Sequence, residues 1–242
     1  MVSIAEPLPR YAEIRRALEE KILSGEWPPG HRVPSEHDLV AQFGCSRMTV
    51  NKAISALAAA GLVVRRRRSG SFVAAPKSQE TVLEVHDIKA EITGSGRSYR
   101  YVILDRERRR ARPEDLARLG AAKGSFDVEA LTVLHFADER PFVYEKRLIN
   151  LAVVPAAARE AFAASPPGTW LLEQIPWTEA EHTIRAENAG ADVAHHLAVA
   201  RGAACLVVAR RTFQAGTTIT AVTLTYPGER HQLVARFSPA TR

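Results

Sequence analysis

Apolar positions in the N-terminal part of the chain recur at helical spacing, whereas beyond Thr81 they alternate in the manner of strands. Tyr11, Ile14, Leu18 and Ile22 form one amphipathic stripe, closed by the turn Pro28-Pro29-Gly30. Ser35 then stands three residues before Asp38 in capping-box spacing, Leu39, Val40 and Phe43 supply a buried stripe, and Gly44 ends the helix. Ser46 caps the next one. Its Val50, Ala53, Ile54 and Leu57 fall on a core face, Arg47, Asn51 and Ser55 fall four apart on another, and Gly61 occupies a left-handed stop. The apolar run Leu62 to Val64 and the short strand Ser71 to Val73 flank four consecutive arginines, Arg65 to Arg68, with Gly70 free to take positive φ at the turn. Two capped helices followed by a basic hairpin predict a winged helix-turn-helix whose second helix reads the major groove.

From Ala74 to Thr81 the stretch AAPKSQET loses periodicity and contains Pro76, as an interdomain linker does. The expected division is a winged domain over residues 7–75, a linker over 76–82 and a second domain over 83–242. In that domain strand patterns appear near Tyr99–Leu104, Asp127–Phe136, Phe142–Asn150, His182–Ala186, Cys205–Gln214, Ile219–Tyr226 and Leu233–Phe237. Helical patterns fall near Pro113–Leu119, Pro155–Ala163 and Val193–Val199. Turn signals at Ala137-Asp138-Glu139-Arg140 and Ala215-Gly216 join neighbouring strands closely, so the class is α+β, an antiparallel sheet backed by helices.

Charge sharpens this division. The 242 residues carry a net +6, of which the first 77 hold +5, with 12 Lys or Arg against 7 Asp or Glu. The phosphate-binding surface therefore belongs to the winged part. An isolated Arg run reads as a solvated edge that discourages strand pairing, but directly after a helix-turn-helix it reads as a set of phosphate contacts. No apolar stretch is long enough to span a bilayer and the N-terminus lacks a signal-peptide core, so a cytoplasmic protein is expected. Cys45 and Cys205 make neither a disulfide framework nor a zinc pattern, adjacent His195 and His196 are not a metal site, and no cofactor is expected.

Candidate chemistry in the second domain centres on Phe142–Asn150. Alternation places Val143, Glu145, Arg147 and Ile149 on one face, so opposite charges sit two apart. From this strand alone the pair reads as a surface ion pair worth at most about 1 kcal/mol. His135, Trp170, Trp177 and Tyr226, taken singly, read as structural residues.

Two resemblances extend this reading. The stretch Val33 to Val73 strongly resembles the DNA-binding domain of the GntR family of bacterial transcription regulators, with its PSE helix start, S-R-x-T-V reading helix and G-x-G-[TS]-F-V wing. It implies operator contacts from Ser35, Glu36, Arg47, Thr49, Asn51 and Gly70, with Lys52, Arg67 and Arg68 as further cations toward double-stranded DNA. Asn51 stands where many members carry Arg, which offers an amide suited to adenine, and Arg68 replaces the first wing glycine. LHFADERPFVYEKRLINLAVVP, PPGTWLLEQIPWTEAEHTIRA and YPGERHQLVARF resemble the UTRA effector-binding domain of the histidine-utilisation (HutC) branch of that family. This likeness implies a chorismate-lyase-like fold that binds a small molecule without transforming it, a homodimer that represses histidine-degradation genes, and urocanate as inducer. It also implies a pocket of His135, Glu145, Arg147, Thr169 and Tyr226. A sensor of a sugar phosphate, which needs several cations or amide nests for a dianion, and a lyase-like enzyme using Glu145, Arg147 and His135 are the alternatives. No nucleophile elbow, phosphate loop or metal-ligand spacing supports the enzyme.

Overall fold

The computed structural model describes residues 9–66, 69–74, 87–121 and 124–233. Three helices and a hairpin form the first unit: α1 (Arg10–Leu23), α2 (Glu36–Phe43), α3 (Arg47–Ala59), β1 (Val63–Arg66) and β2 (Gly70–Val73). The local signals act as expected. Ser35 and Asp38 close a reciprocal capping box on α2, Gly44 ends it at φ +58°, and the Ser46 hydroxyl accepts from the Thr49 amide to start α3. Ile14, Leu18 and Ile22 of α1 pack on Leu39, Val50, Ile54 and Leu57, and Leu62, Val63 and Val73 fasten the hairpin to the same core. Strands β1 and β2 pair antiparallel from Val63↔Val73 to Arg66↔Gly70. Arg67, Arg68 and the expected linker over residues 76–82 lie outside the described residues.

The second unit is a six-stranded, wholly antiparallel sheet in the order β3-β4-β5-β8-β7-β6. Its strands are β3 (Tyr99–Arg110), β4 (Asp127–Ala137), β5 (Arg140–Asn150), β6 (Glu179–Asn188), β7 (Ala204–Gln214) and β8 (Thr217–Pro227). Both expected hairpin turns form with two consecutive positive-φ residues, Asp138-Glu139 and Ala215-Gly216, the twist that matches right-handed strands. One face is covered by α4 (Ile88–Gly94), α6 (Pro167–Gln174) and a 3-10 turn at Pro155–Ala158, the other by α5 (Pro113–Leu119) and α7 (Ala191–Leu197).

Two expectations change, and a third falls almost wholly outside the described residues. The segment Pro155–Ala163 forms only the short 3-10 turn, and Phe162 at φ +53° breaks any continuation. Helices α4 and α6 were not anticipated, and α6 opens on Pro166-Pro167-Gly168, which reads as a turn. Leu233 is irregular, and the rest of the strand expected at Leu233–Phe237 lies outside the described residues. Among the described residues no helix is long and apolar enough to cross a membrane.

Candidate functional site

On the winged unit, α2 packs against α3 and this contact sets the polar surface. Glu36 in the first turn of α2 accepts from Arg47 Nε at 3.1 Å, Asn51 Nδ2 at 3.0 Å and Arg65 Nη2 at 2.9 Å. Ser55 joins the row by donating to Asn51 Oδ1. One carboxylate thus fans together the reading helix and the wing. The Arg47 guanidinium, with help from Asn51 and Arg65, holds the Glu36 carboxyl below its usual range against a smaller opposing effect of burial. Arg47 remains 84% exposed, as does the neighbouring Met48, so the N-terminal turn of α3 is free to enter a groove. Lys52 lies 4.0 Å from the Tyr11 ring centre, and Thr49 Oγ1 contacts Ser46 Oγ at 2.8 Å. Gly70, at φ +106°, turns the hairpin beside Arg32. Of the expected DNA contacts, Glu36 is thus occupied as a hub for cations, and Ser35 is spent on the α2 cap.

In the sheet domain, Glu145 and Arg147 are not at the surface. Their side chains are 0% and 2% exposed, under α6, with Arg147 Nε donating to Glu145 Oε1 at 2.6 Å. His135 Nε2 lies 3.2 Å from Glu145 Oε2 and its Nδ1 lies 2.9 Å from the Tyr99 hydroxyl, so the buried His135, Glu145 and Arg147 form one polar chain that ends on the half-buried Tyr99. Burial alone would raise the Glu145 carboxyl, yet Arg147 and His135 outweigh it and hold it well below the ordinary carboxylate range. Such a pair is ionised at neutral pH. Gly168 at the start of α6 permits the close approach, because a Cβ there would stand 2.9 Å from Arg147 Nη2.

A second cation, absent from the expected set, completes this site. Arg147 and Arg210 both register against Val222 of β8, which puts them in one row two strands apart, about 10 Å between backbones. Arg210 is buried, and burial, with the like charge of Arg147 adding, pulls its guanidinium down to about 10, still charged at neutral pH. Asp87, Ile88, His135, Glu145, Arg147, Thr169 and Arg210 contribute to one small cavity of about 10 Å³. Arg147, Arg210, Trp177, Thr212 and Thr220 contribute to an adjoining one of the same size. Each holds about one water.

The expected pocket residues therefore divide. His135, Glu145, Arg147 and Thr169 converge, with Thr169 donating to Asp87 Oδ1 at 2.8 Å. Tyr226 shares their sheet face but lines neither cavity; it stacks on His231 at 3.8 Å between centroids and meets Phe142 edge-on. Arg210, Asp87 and Tyr99 were missed. Strand alternation placing Arg210 in line with Val208 and Thr212 within the apolar strand Cys205–Gln214 was the available signal. Among the described residues no cluster of three or more His, Cys, Asp or Glu suits a metal ion.

Comparison with known proteins fits this two-part layout. Residues 10–73 match the domain of bacterial regulatory proteins of the gntR family, and residues 94–232 match the UTRA domain. The chain is 38% identical over 232 residues to the histidine utilization repressor of Pseudomonas aeruginosa, covering 96% of this chain and 92% of that protein. It is also 38% identical over 231 residues to the histidine utilization repressor of Klebsiella aerogenes, covering 96% and 95%. The crystal structure of the C-terminal domain of the histidine utilization repressor from Pseudomonas syringae pv. tomato superposes with a TM-score of 0.54 at 29% identity, over 58% of this chain and 99% of that one.

Proposed function

The chain belongs to the gntR family of bacterial regulatory proteins, with a UTRA domain, and from that membership we propose that it represses histidine-utilisation genes and leaves its operator when urocanate enters the Arg147–Arg210 site. Its relatives are named as repressors rather than enzymes, which sets the lyase alternative aside.

One observation carries the ligand assignment: two buried guanidinium groups, Arg147 and Arg210, flank a single buried carboxylate, Glu145. Asp87 is committed to capping α4 and to Thr169. With Glu145 and Asp87 both placing negative charge beside the two guanidinium groups, the lining suits a small carboxylate better than a phosphate dianion. Urocanate is a flat imidazole bearing an unsaturated carboxylate. Its carboxylate matches the planar donor forks of the arginines, and its imidazole offers partners to Glu145 and Thr169. Since the cavities hold about one water each, entry requires the lining to move, and that movement supplies the difference in affinity between two arrangements on which allostery depends.

At the other end, Arg47, Asn51 and the neighbouring Lys52 and Thr49 read operator DNA from α3, with Arg65, Arg67, Arg68 and Gly70 tracking the backbone. A reading helix of 13 residues spans few base pairs, so the working form is a homodimer on a two-fold site in the cytoplasm.

Calorimetric titration tests the ligand reading. Urocanate binds the native protein, and the paired replacement Glu145→Leu with Arg147→Met, which removes both charges together and preserves stability, abolishes the heat. A sugar phosphate such as glucose 6-phosphate binding more tightly than urocanate would overturn the assignment.

A further inference from the structure

The reading helix ends on the sensor sheet. The Ala60 carbonyl, one of the acceptors left at the C-terminus of α3, takes a hydrogen bond of 3.0 Å from Nε2 of Gln214, 154 residues away. Gln214 is the last residue of β7 and only 3% exposed, and its Oε1 has no partner among the described residues. One residue beyond Ala60, a Cβ on Gly61 would stand 2.8 Å from Cγ2 of Thr178, so the Thr178 side chain lies against the Gly61 backbone where only a glycine leaves room. Thr178 is itself riveted to the β7–β8 turn, through its amide on the Phe213 carbonyl at 2.9 Å and its hydroxyl accepting from the Ala215 amide at 3.1 Å.

These contacts adjoin the cavity. On β7, Arg210, Thr212 and Gln214 alternate onto one face. Arg210 and Thr212 line the cavity and Gln214 grips α3, with about 13 Å of strand from the first to the last. Trp177, immediately before Thr178, is another cavity wall, and its Nε1 is buried without a partner among the described residues. A ligand larger than one water has to displace this lining, and two of the lining residues, Thr212 and Trp177, are directly followed on the chain by the segments that hold α3.

We infer that the Gln214–Ala60 bond and the Thr178–Gly61 contact form the coupling point through which occupancy of the sensor cavity repositions the reading helix, with Gln214 as the positioning residue. This rests on the effector reading above only for the identity of the ligand. Gln214 lines neither of the two cavities, and acts through the C-terminus of α3.

The test uses the full chain and operator DNA, with the ratio of operator Kd values with and without an occupied cavity as the readout. In one arm urocanate occupies the cavity; in the other, Thr212→Phe fills it covalently, whatever the natural ligand. In native background either treatment weakens operator binding by about 5- to 150-fold. With Gln214→Ala, urocanate still binds by calorimetry, but the ratio falls below about twofold in both arms. Gln214→Glu, whose carboxylate repels the Ala60 carbonyl, uncouples in the same way and serves if the alanine variant is poorly folded. A full response retained by both Gln214 variants overturns the coupling point. If urocanate alone is inert while Thr212→Phe weakens the native protein and not Gln214→Ala, the coupling stands and the ligand assignment fails.

Discussion

Glu36 and Glu145 each anchor an arginine of a candidate site, and their surroundings give them opposite uses. Glu36 is a quarter exposed and holds Arg47, Asn51 and Arg65 in high dielectric, where such pairs are worth about 0.2–1 kcal/mol and exchange readily for other anions. Glu145 is fully buried and holds Arg147 and His135 where neither charge can be left alone. Under the proposed function, the exposed hub pre-arranges cations for surrender to phosphates and base edges. Under the same proposal, the buried hub keeps a charged site intact inside an apolar sheet until a ligand of matching charge replaces its contacts.

The largest expected contrast is in stability. Arg147→Ala strands a buried carboxylate and lowers the unfolding free energy by about 3–5 kcal/mol, whereas Glu36→Ala costs no more than about 1 kcal/mol, both read by chemical denaturation. Equal losses at the two sites would erase the distinction. In DNA binding the order reverses. Arg47→Ala removes a candidate base contact and reduces the preference for operator over random DNA by about 1–3 kcal/mol in competition anisotropy, while the sensor domain's unfolding is unchanged.

Acid separates the hubs next. Because the folded Glu145 carboxyl sits well below its unfolded value, its stabilisation is fully present above about pH 5 and is lost as the pH falls through the unfolded value of about 4.3 and onward, at no more than about 1.4 kcal/mol per pH unit. Glu145→Gln flattens that slope in denaturant titrations between pH 5 and 3, and Glu36→Gln leaves it nearly intact. The smallest effect is expected for Arg65, whose replacement by Ala makes the salt dependence of operator binding shallower by about one unit, with little change in sequence preference. An unaltered slope would take Arg65 off the phosphate backbone.

The winged unit was legible almost completely because its determinants are local. The Ser35–Asp38 box, the Ser46 cap and the left-handed Gly44 and Gly61 are each settled within a few residues of chain. The sheet's strands and both hairpin turns followed from alternation and turn chemistry. What remained hidden depends on pairing across long separations. Alternation put Glu145 and Arg147 on one face, but whether that face meets water or α6 is decided by a helix that opens on Pro166-Pro167-Gly168, a run that reads as a turn. Arg210 joins Arg147 only through the β5-β8-β7 order, and Asp87 meets Thr169 across 82 residues. Glu36 was recognisable by motif as part of the interface; its role as a hub required α2 to be packed on α3.

The central claim, that the buried charged site senses urocanate and controls the exposed one, is tested most directly by titrating the operator-bound protein with urocanate and following fluorescence anisotropy of the DNA. Release with an operator Kd raised by about 5- to 150-fold, and a far weaker response to histidine, is the predicted result. An operator curve that does not move at saturating urocanate would contradict it.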